Sequence, residues 1–227
     1  EQRAGIKESC PLQNLPGASD IVTLHVPLTT EGHDKTHYLI NRENLPVLKR
    51  DCIIINTSRG EVVDNIALRK TLAAGRLGGA VLDVWEGEPR ADKRLIKLTD
   101  IATPHIAGYS VDGKANGTVT VVRETASHLG IPLAGWEPDS LPMPEQPVIG
   151  LDLHSPMNTP LNLAAMAVRH TYPIDDDDRL FRSDPEKFEQ LRDNYRQRRE
   201  FSSFLVNVED AETRTIVQGL GFKINND

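Results

Sequence analysis

Apolar residues in this chain come in short unbroken runs, each of which gives way abruptly to polar residues. Ile21-Val22-Thr23-Leu24-His25-Val26 is stopped by Pro27, and Cys52-Ile53-Ile54-Ile55 breaks at Asn56-Thr57-Ser58-Arg59-Gly60. Gly78–Trp85 runs into Glu86-Gly87-Glu88-Pro89, and Thr99–Thr103 into Pro104-His105-Ile106-Ala107-Gly108-Tyr109. The Ile53–Ile55 run in particular fits a strand buried on both faces of a parallel sheet. Helical segments separate the runs. Asn41 is placed to cap a short helix to Leu48, and Asp64 to cap Asn65–Ala74 with Gly75 just past its end. Ser110 is placed to cap a helix to Leu129, on which Ala115, Thr118, Val119, Val122, Ala126 and Leu129 share one face. Strands alternating with helices at this spacing predict an α/β fold with a doubly wound parallel sheet.

Pro132, Pro138, Pro142, Pro144 and Pro147 make a stiff connector, so the chain divides into residues 1–131, the connector 132–147 and a second domain, 148–227. In that second domain Val148–Leu153 reads as a strand, and Thr159-Pro160 opens a helix to Arg169. Asp175–Asp178 lacks the interleaved spacing, glycine and final glutamate of a calcium loop and reads as a solvated turn. Asp184-Pro185 starts a charged helix with a stripe of Phe188, Leu191 and Tyr195. Its Lys187, Arg192, Arg196, Arg198 and Arg199 are nearly balanced by Glu186, Glu189, Asp193 and Glu200, a solvated or subunit-facing surface. Phe201–Val208 reads as a strand, Asp210 as the cap of a helix to Leu220, and Phe222–Ile224 as a closing strand.

The net charge of −7 argues against non-specific nucleic-acid binding, which needs a basic surface. No apolar run approaches the ~20 residues of a membrane helix. Cys10 and Cys52 have no metal-type spacing and form no disulfide framework, so a reducing cytoplasm is the simplest location. The chain opens at Glu1 without an initiator methionine or a signal segment, which predicts a fragment or a processed chain. His25, His33, His37, His128, His154 and His170 show no metal-ligand spacing. Trp85 reads as packing on the sheet and Lys114 as solvated.

Candidate chemistry sits at the strand exits. Open α/β sheets bind ligands outside the carboxyl ends of their strands, and Arg59, Glu88 and His105 leave three such ends. Gly60 is expected to turn the backbone and let it approach a ligand. A guanidinium can hold a carboxylate and polarise a carbonyl. An imidazole oriented by a carboxylate is an acid–base catalyst. Arg59, Glu88 and His105 together suit exchange between a 2-hydroxy acid and a 2-oxo acid, with hydride passed to a nicotinamide.

Asn56–Gly60 with Val63-Asp64, Leu82–Pro89 and Thr103–Gly108 resemble three ordered motifs of the D-isomer-specific 2-hydroxyacid dehydrogenases. The resemblance implies a Rossmann-type sheet, NAD as cofactor, Arg59 as the substrate-binding arginine, His105 as proton acceptor and Glu88 as its partner. It also implies cofactor contacts at Val26, Thr57, Ser58, Arg59, Asp83 and Gly108, and a substrate contact at Tyr109. His105–Ala115, Phe188–Tyr195 and Arg198–Ser203 narrow it to a branch acting on a small phosphorylated four-carbon hydroxy acid in vitamin B6 synthesis. That branch carries a C-terminal dimerisation domain, so residues 148–227 are expected to hold a homodimer together. The chain departs from the family in having no Gly-x-Gly-x-x-Gly loop, and in Val26, where relatives of that branch often have threonine. It therefore reads as the C-terminal part of such an enzyme, expected to be inactive alone. The alternatives are a dehydrogenase of another phosphorylated hydroxy acid, such as 3-phosphoglycerate, and a non-catalytic nucleotide-binding or dimerisation module.

Overall fold

The computed structural model describes residues 17, 19–151 and 158–225; Cys10, His154 and the end of the Val148–Leu153 run lie outside them. Two compact units are present, Glu1–Ala107 with Asp177–Asn194, and Gly108–Asp176 with Tyr195–Asp227.

Among the described residues of the first unit four parallel strands lie in sequence order, β1 (Ile21–Leu24), β2 (Ile53–Asn56), β3 (Gly79–Leu82) and β4 (Ile101–Ala102). Leu24, Asn56, Leu82 and Ala102 stand in register across the sheet, so all four strands end on one line. Burial on both faces does not extend along the whole Ile53–Ile55 run, since Ile54 is buried but Ile53, at the entering end, is exposed. Asp64 caps α1 (Asn65–Ala73) by accepting the Ala67 N–H at 2.9 Å, and Gly75 follows with φ +61°. The helix expected after Asn41 is a single 3-10 turn, Leu45–Val47. Pro46 restricts the residue before it, and the Asn41 side chain instead accepts the N–H groups of Glu43 and Asn44. A short α2 (Lys93–Ile96) leads into β4.

Two helices from late in the sequence complete this unit, most of α5 (Ile174–Ser183) and all of α6 (Phe188–Asp193). The acidic run Asp175–Asp178 is thus helical, not a turn. Carboxylates suit the first turn of a helix, and Asp178 has partners remote in sequence. It accepts the Ala102 N–H at 2.6 Å and pairs with Arg182 Nε at 2.8 Å, while Arg182 donates to the carbonyls of Thr99, at 2.8 Å, and Ile96. The outer edge of β4 is thereby covered rather than left open. Phe181 and Phe188 are buried in the core beside Trp85, with successive ring centroids 5.7 Å apart. Phe188 therefore does not belong to a solvated or subunit-facing stripe, and α6 stops before Tyr195.

The second unit holds a parallel sheet of β5 (Val148–Gly150), β6 (Leu205–Asn207) and β7 (Lys223–Ile224). Helices α4 (Pro160–Thr171) and α7 (Ala211–Gly219) are capped by Thr159 and Asp210. Ala164, Ala167, Val217, Phe204 and Phe222 fill its core. Phe201–Ser203 is a 3-10 turn rather than strand, and Phe201 stacks on Phe222 at 4.6 Å. Ala164, Val217 and Phe204 are therefore spent on this unit's own interior. Helix α3 (Val111–Leu129) is capped by Ser110 and closed by Gly130 at φ +67°. Ala126 is its one buried residue; of the rest of the expected apolar face Ala115, Val119 and Val122 are half-buried, and Thr118 and Leu129 are exposed.

Asp112 at the start of α3 receives Arg199 Nε and Nη2 at 2.9 and 3.0 Å and the Glu200 N–H at 2.8 Å. Burial would push its carboxyl up, but the hydrogen bonds from Arg199 and Glu200 and the Arg199 charge together hold it below the usual range. Between that lowered value and the ordinary ~3.9 the unfolded chain binds more protons, so the stabilisation is full at neutral pH and fades as acidity passes through the native value. Asp112→Asn is expected to destabilise the full-length protein by about 3 kcal/mol at neutral pH. Urea unfolding at neutral and acid pH should show the gap between variant and wild type narrowing below ~4.

Candidate active site

The exits of β2, β3 and β4 are fixed by buried polar side chains. At the end of β2 the buried Asn56 donates to the Arg59 carbonyl at 2.9 Å and accepts the Ser58 N–H and hydroxyl at 3.1 and 2.9 Å. This turn presents Arg59, exposed, with its Nη1 on the Ser58 carbonyl at 2.6 Å. Gly60 makes a close approach to the protein backbone. A Cβ there would fall far inside contact distance of the Trp85 carbonyl group and the Glu86 nitrogen. Asn65 adds a second tie, exchanging hydrogen bonds of 3.2 and 3.3 Å with Glu86. Burial pushes the Glu86 carboxyl up, and the Glu86 charge in turn raises the neighbouring Tyr38 hydroxyl.

At the end of β3 Asp83 is 3% exposed. Its Oδ1 accepts the Thr103 hydroxyl at 2.6 Å and the Ile106 N–H at 2.8 Å, and its Oδ2 accepts the Ala107 N–H at 2.9 Å. Its carbonyl takes the His105 N–H at 2.7 Å. Asp83 therefore clamps the turn that follows β4. Within that turn His105 has φ +58°, a left-handed conformation that costs a non-glycine residue roughly 1–3 kcal/mol and persists only where its surroundings enforce it.

The left-handed turn delivers the imidazole to Glu88. His105 Nδ1 lies 2.7 Å from Glu88 Oε2, while Glu88 Oε1 accepts the Trp85 N–H at 2.8 Å. With both carboxylate oxygens engaged the ring is held in one orientation, and Nε2 is the nitrogen left to meet a reactant. Trp85, buried as expected, fixes the same turn by donating Nε1 to the Thr103 carbonyl at 2.9 Å.

Of the sequence candidates, the fold brings Glu88 and His105 into contact and puts Asp83 beneath them. Arg59 leaves β2, two strands from β4, or ~10 Å at ordinary strand spacing. Thr57 and Ser58 line the same β2 exit, and Val26 is half-buried past the end of β1 against the core. Gly108 and Tyr109 fall in the second unit, where Tyr109 meets Tyr195 edge-on at 6.0 Å and the Lys114 ammonium at 4.5 Å. Asn56, Asn65 and Arg192 were not singled out from sequence. A buried asparagine closing an apolar run was the available signal for the first.

An NAD cofactor fits what Asp83 offers. A carboxylate has about four lone-pair directions. Three are taken here, which leaves one on Oδ2 for a donor such as a carboxamide. Among the described residues no group of three or more His, Cys, Asp or Glu could hold a metal ion.

A family profile described as D-isomer specific 2-hydroxyacid dehydrogenase, NAD binding domain, matches residues 1–107, and a domain of unknown function (DUF3410) matches residues 142–221. The erythronate-4-phosphate dehydrogenase of Photorhabdus laumondii is 39% identical over 223 residues, covering 97% of this chain and 58% of that protein. Its namesake in Klebsiella pneumoniae is 40% identical over 214 residues, 93% of this chain and 56% of that protein. The chain thus spans a little over half the length of these relatives. A solved D-lactate dehydrogenase from Aquifex aeolicus, complexed with NAD and lactic acid, is 34% identical over 53% of this chain and 40% of its own, with a TM-score of 0.45. Residues 1–107, which carry the His105–Glu88 pair at their sheet edge, are thus similar to the NAD binding domain of the D-isomer specific 2-hydroxyacid dehydrogenases.

Proposed function

We propose that the protein carrying this chain oxidises 4-phospho-D-erythronate to 2-oxo-3-hydroxy-4-phosphobutanoate with NAD, a step toward pyridoxal phosphate. The observation that carries the reading is the 2.7 Å contact of His105 with Glu88 at the carboxyl edge of a parallel sheet. A pure nucleotide binder has no use for an oriented acid–base pair. The identity of about 40% with erythronate-4-phosphate dehydrogenases supports this substrate over other hydroxy acids.

In this reading Arg59 holds the substrate carboxylate and polarises the carbon that becomes the carbonyl. His105 Nε2 takes the hydroxyl proton, and Glu88 stabilises the imidazolium that results. Val26, Thr57, Ser58, Arg59 and Asp83 line the cofactor side of the strand exits. Bound NAD supplies the hydride acceptor. The protein is further proposed to be a cytoplasmic homodimer. No helix among the described residues is long and apolar enough to cross a membrane, and Met143, Leu161 and Leu220 of the second unit remain exposed.

The test is a panel of phosphorylated and unphosphorylated 2-hydroxy acids on the full-length protein, following nicotinamide reduction. Erythronate 4-phosphate is expected to give the highest kcat/KM. A preference for 3-phosphoglycerate would replace the substrate, and NAD binding without turnover of any acid would replace the enzyme. Light scattering on the same preparation should give twice the monomer mass; a monomer would remove the dimer.

A further inference from the structure

Arg192 reads from sequence as one charge on a balanced, solvated helix, yet in the fold it reaches the His105 turn. Its Nε donates to the His105 carbonyl at 3.3 Å. We propose that Arg192 is a positioning residue for the catalytic histidine. The proposal rests on the reading of His105 as the proton-transferring group. It gives α6, within the region whose family profile is a domain of unknown function, a part in the chemistry.

Geometry around the left-handed turn carries the argument. The His105 N–H is taken by the Asp83 carbonyl, and the next two N–H groups by the Asp83 carboxylate. Those bonds fix the peptide donors of the turn. Its carbonyls are fixed from elsewhere, Thr103 by Trp85 Nε1 and His105 by Arg192 Nε. These two donors are joined by packing. The Arg192 guanidinium stands over the Phe188 ring at 5.7 Å, Phe188 meets Phe181, and Phe181 meets Trp85. Trp85 in turn donates its backbone N–H to Glu88, which holds the imidazole. A buried aromatic column thus links both carbonyl anchors of the turn to the carboxylate that orients the ring. A charged donor on a carbonyl makes a stronger bond than a neutral one, and the planar guanidinium over an aromatic face has few other orientations available.

The experiment uses the full-length protein with Arg192→Met and Arg192→Lys, and two readouts. Hydrogen exchange at the Ile106 and Ala107 amides is expected to quicken about tenfold in the Met variant, while the Ile54 and Ala80 amides keep their wild-type rates. In turnover the Met variant is expected to lose about tenfold in kcat with KM for the hydroxy acid and for NAD within about twofold, and Lys to restore most of it. Unchanged exchange at the turn overturns the proposal. So does a variant in which kcat and KM worsen together with Lys no better than Met, since that is loss of structure rather than of aim. If the wild type oxidises no hydroxy acid, the functional reading falls, and exchange alone decides whether Arg192 holds the turn.

Discussion

His105→Asn in the full-length protein is expected to cut kcat by about 10²–10⁴-fold while NAD still binds. Asparagine is the informative replacement because the residue must adopt φ +58°, and asparagine tolerates that conformation better than most side chains. The loss then reports removal of the proposed proton acceptor rather than collapse of the turn. Glu88→Gln is the companion variant. It keeps an oxygen for the Trp85 N–H but loses the charge opposite the imidazole, with an expected fall of about a hundredfold. Stopped-flow and steady-state rates with the best hydroxy acid would measure both. Variants turning over within threefold of wild type would take the pair out of the mechanism.

Gly60→Ala is expected to be the most damaging single methyl group in the first unit. The new Cβ would overlap the backbone of Trp85 and Glu86, atoms that cannot rotate aside. Either the Arg59 turn or the β3 exit must move, at a penalty of about 3 kcal/mol or more, and both carry candidate site residues. Thermal unfolding of the full-length protein should fall by several degrees, with kcat/KM falling as Arg59 is displaced. Gly117→Ala in the exposed middle of α3 meets no atom within 4 Å and is the control, expected to gain about 0.5–1 kcal/mol. Equal melting temperatures for the two would show that the close approach at Gly60 is not tight.

Local signals were the legible ones. Asp64, Ser110, Thr159 and Asp210 each cap the helix their position predicted, because a cap is decided within three residues. The apolar runs ended at one sheet edge, which brought Glu88 and His105 together. What stayed hidden depended on partners far along the chain. Asp178 looks like one of four solvated acids until the Ala102 N–H, 76 residues away, is placed beside it. Phe188 sits among charges that face outward, so its composition suggested a surface while its ring entered the core. Arg192 was masked in the same way. The apolar face of α3 was legible as a pattern, but a pattern does not say what covers it.

The route of the chain through the first unit has a consequence for how the protein is made. β4 and the His105 turn leave the ribosome with residue 107, yet Phe181, Phe188 and Asp178, which seal them, arrive with a segment ending at Asn194. At ordinary synthesis speeds those roughly 90 residues take about 5–20 s. Throughout that interval Trp85 lacks the Phe181 ring and the Ala102 N–H lacks the Asp178 carboxylate, so the nascent sheet is a natural client for a chaperone until translation passes α6.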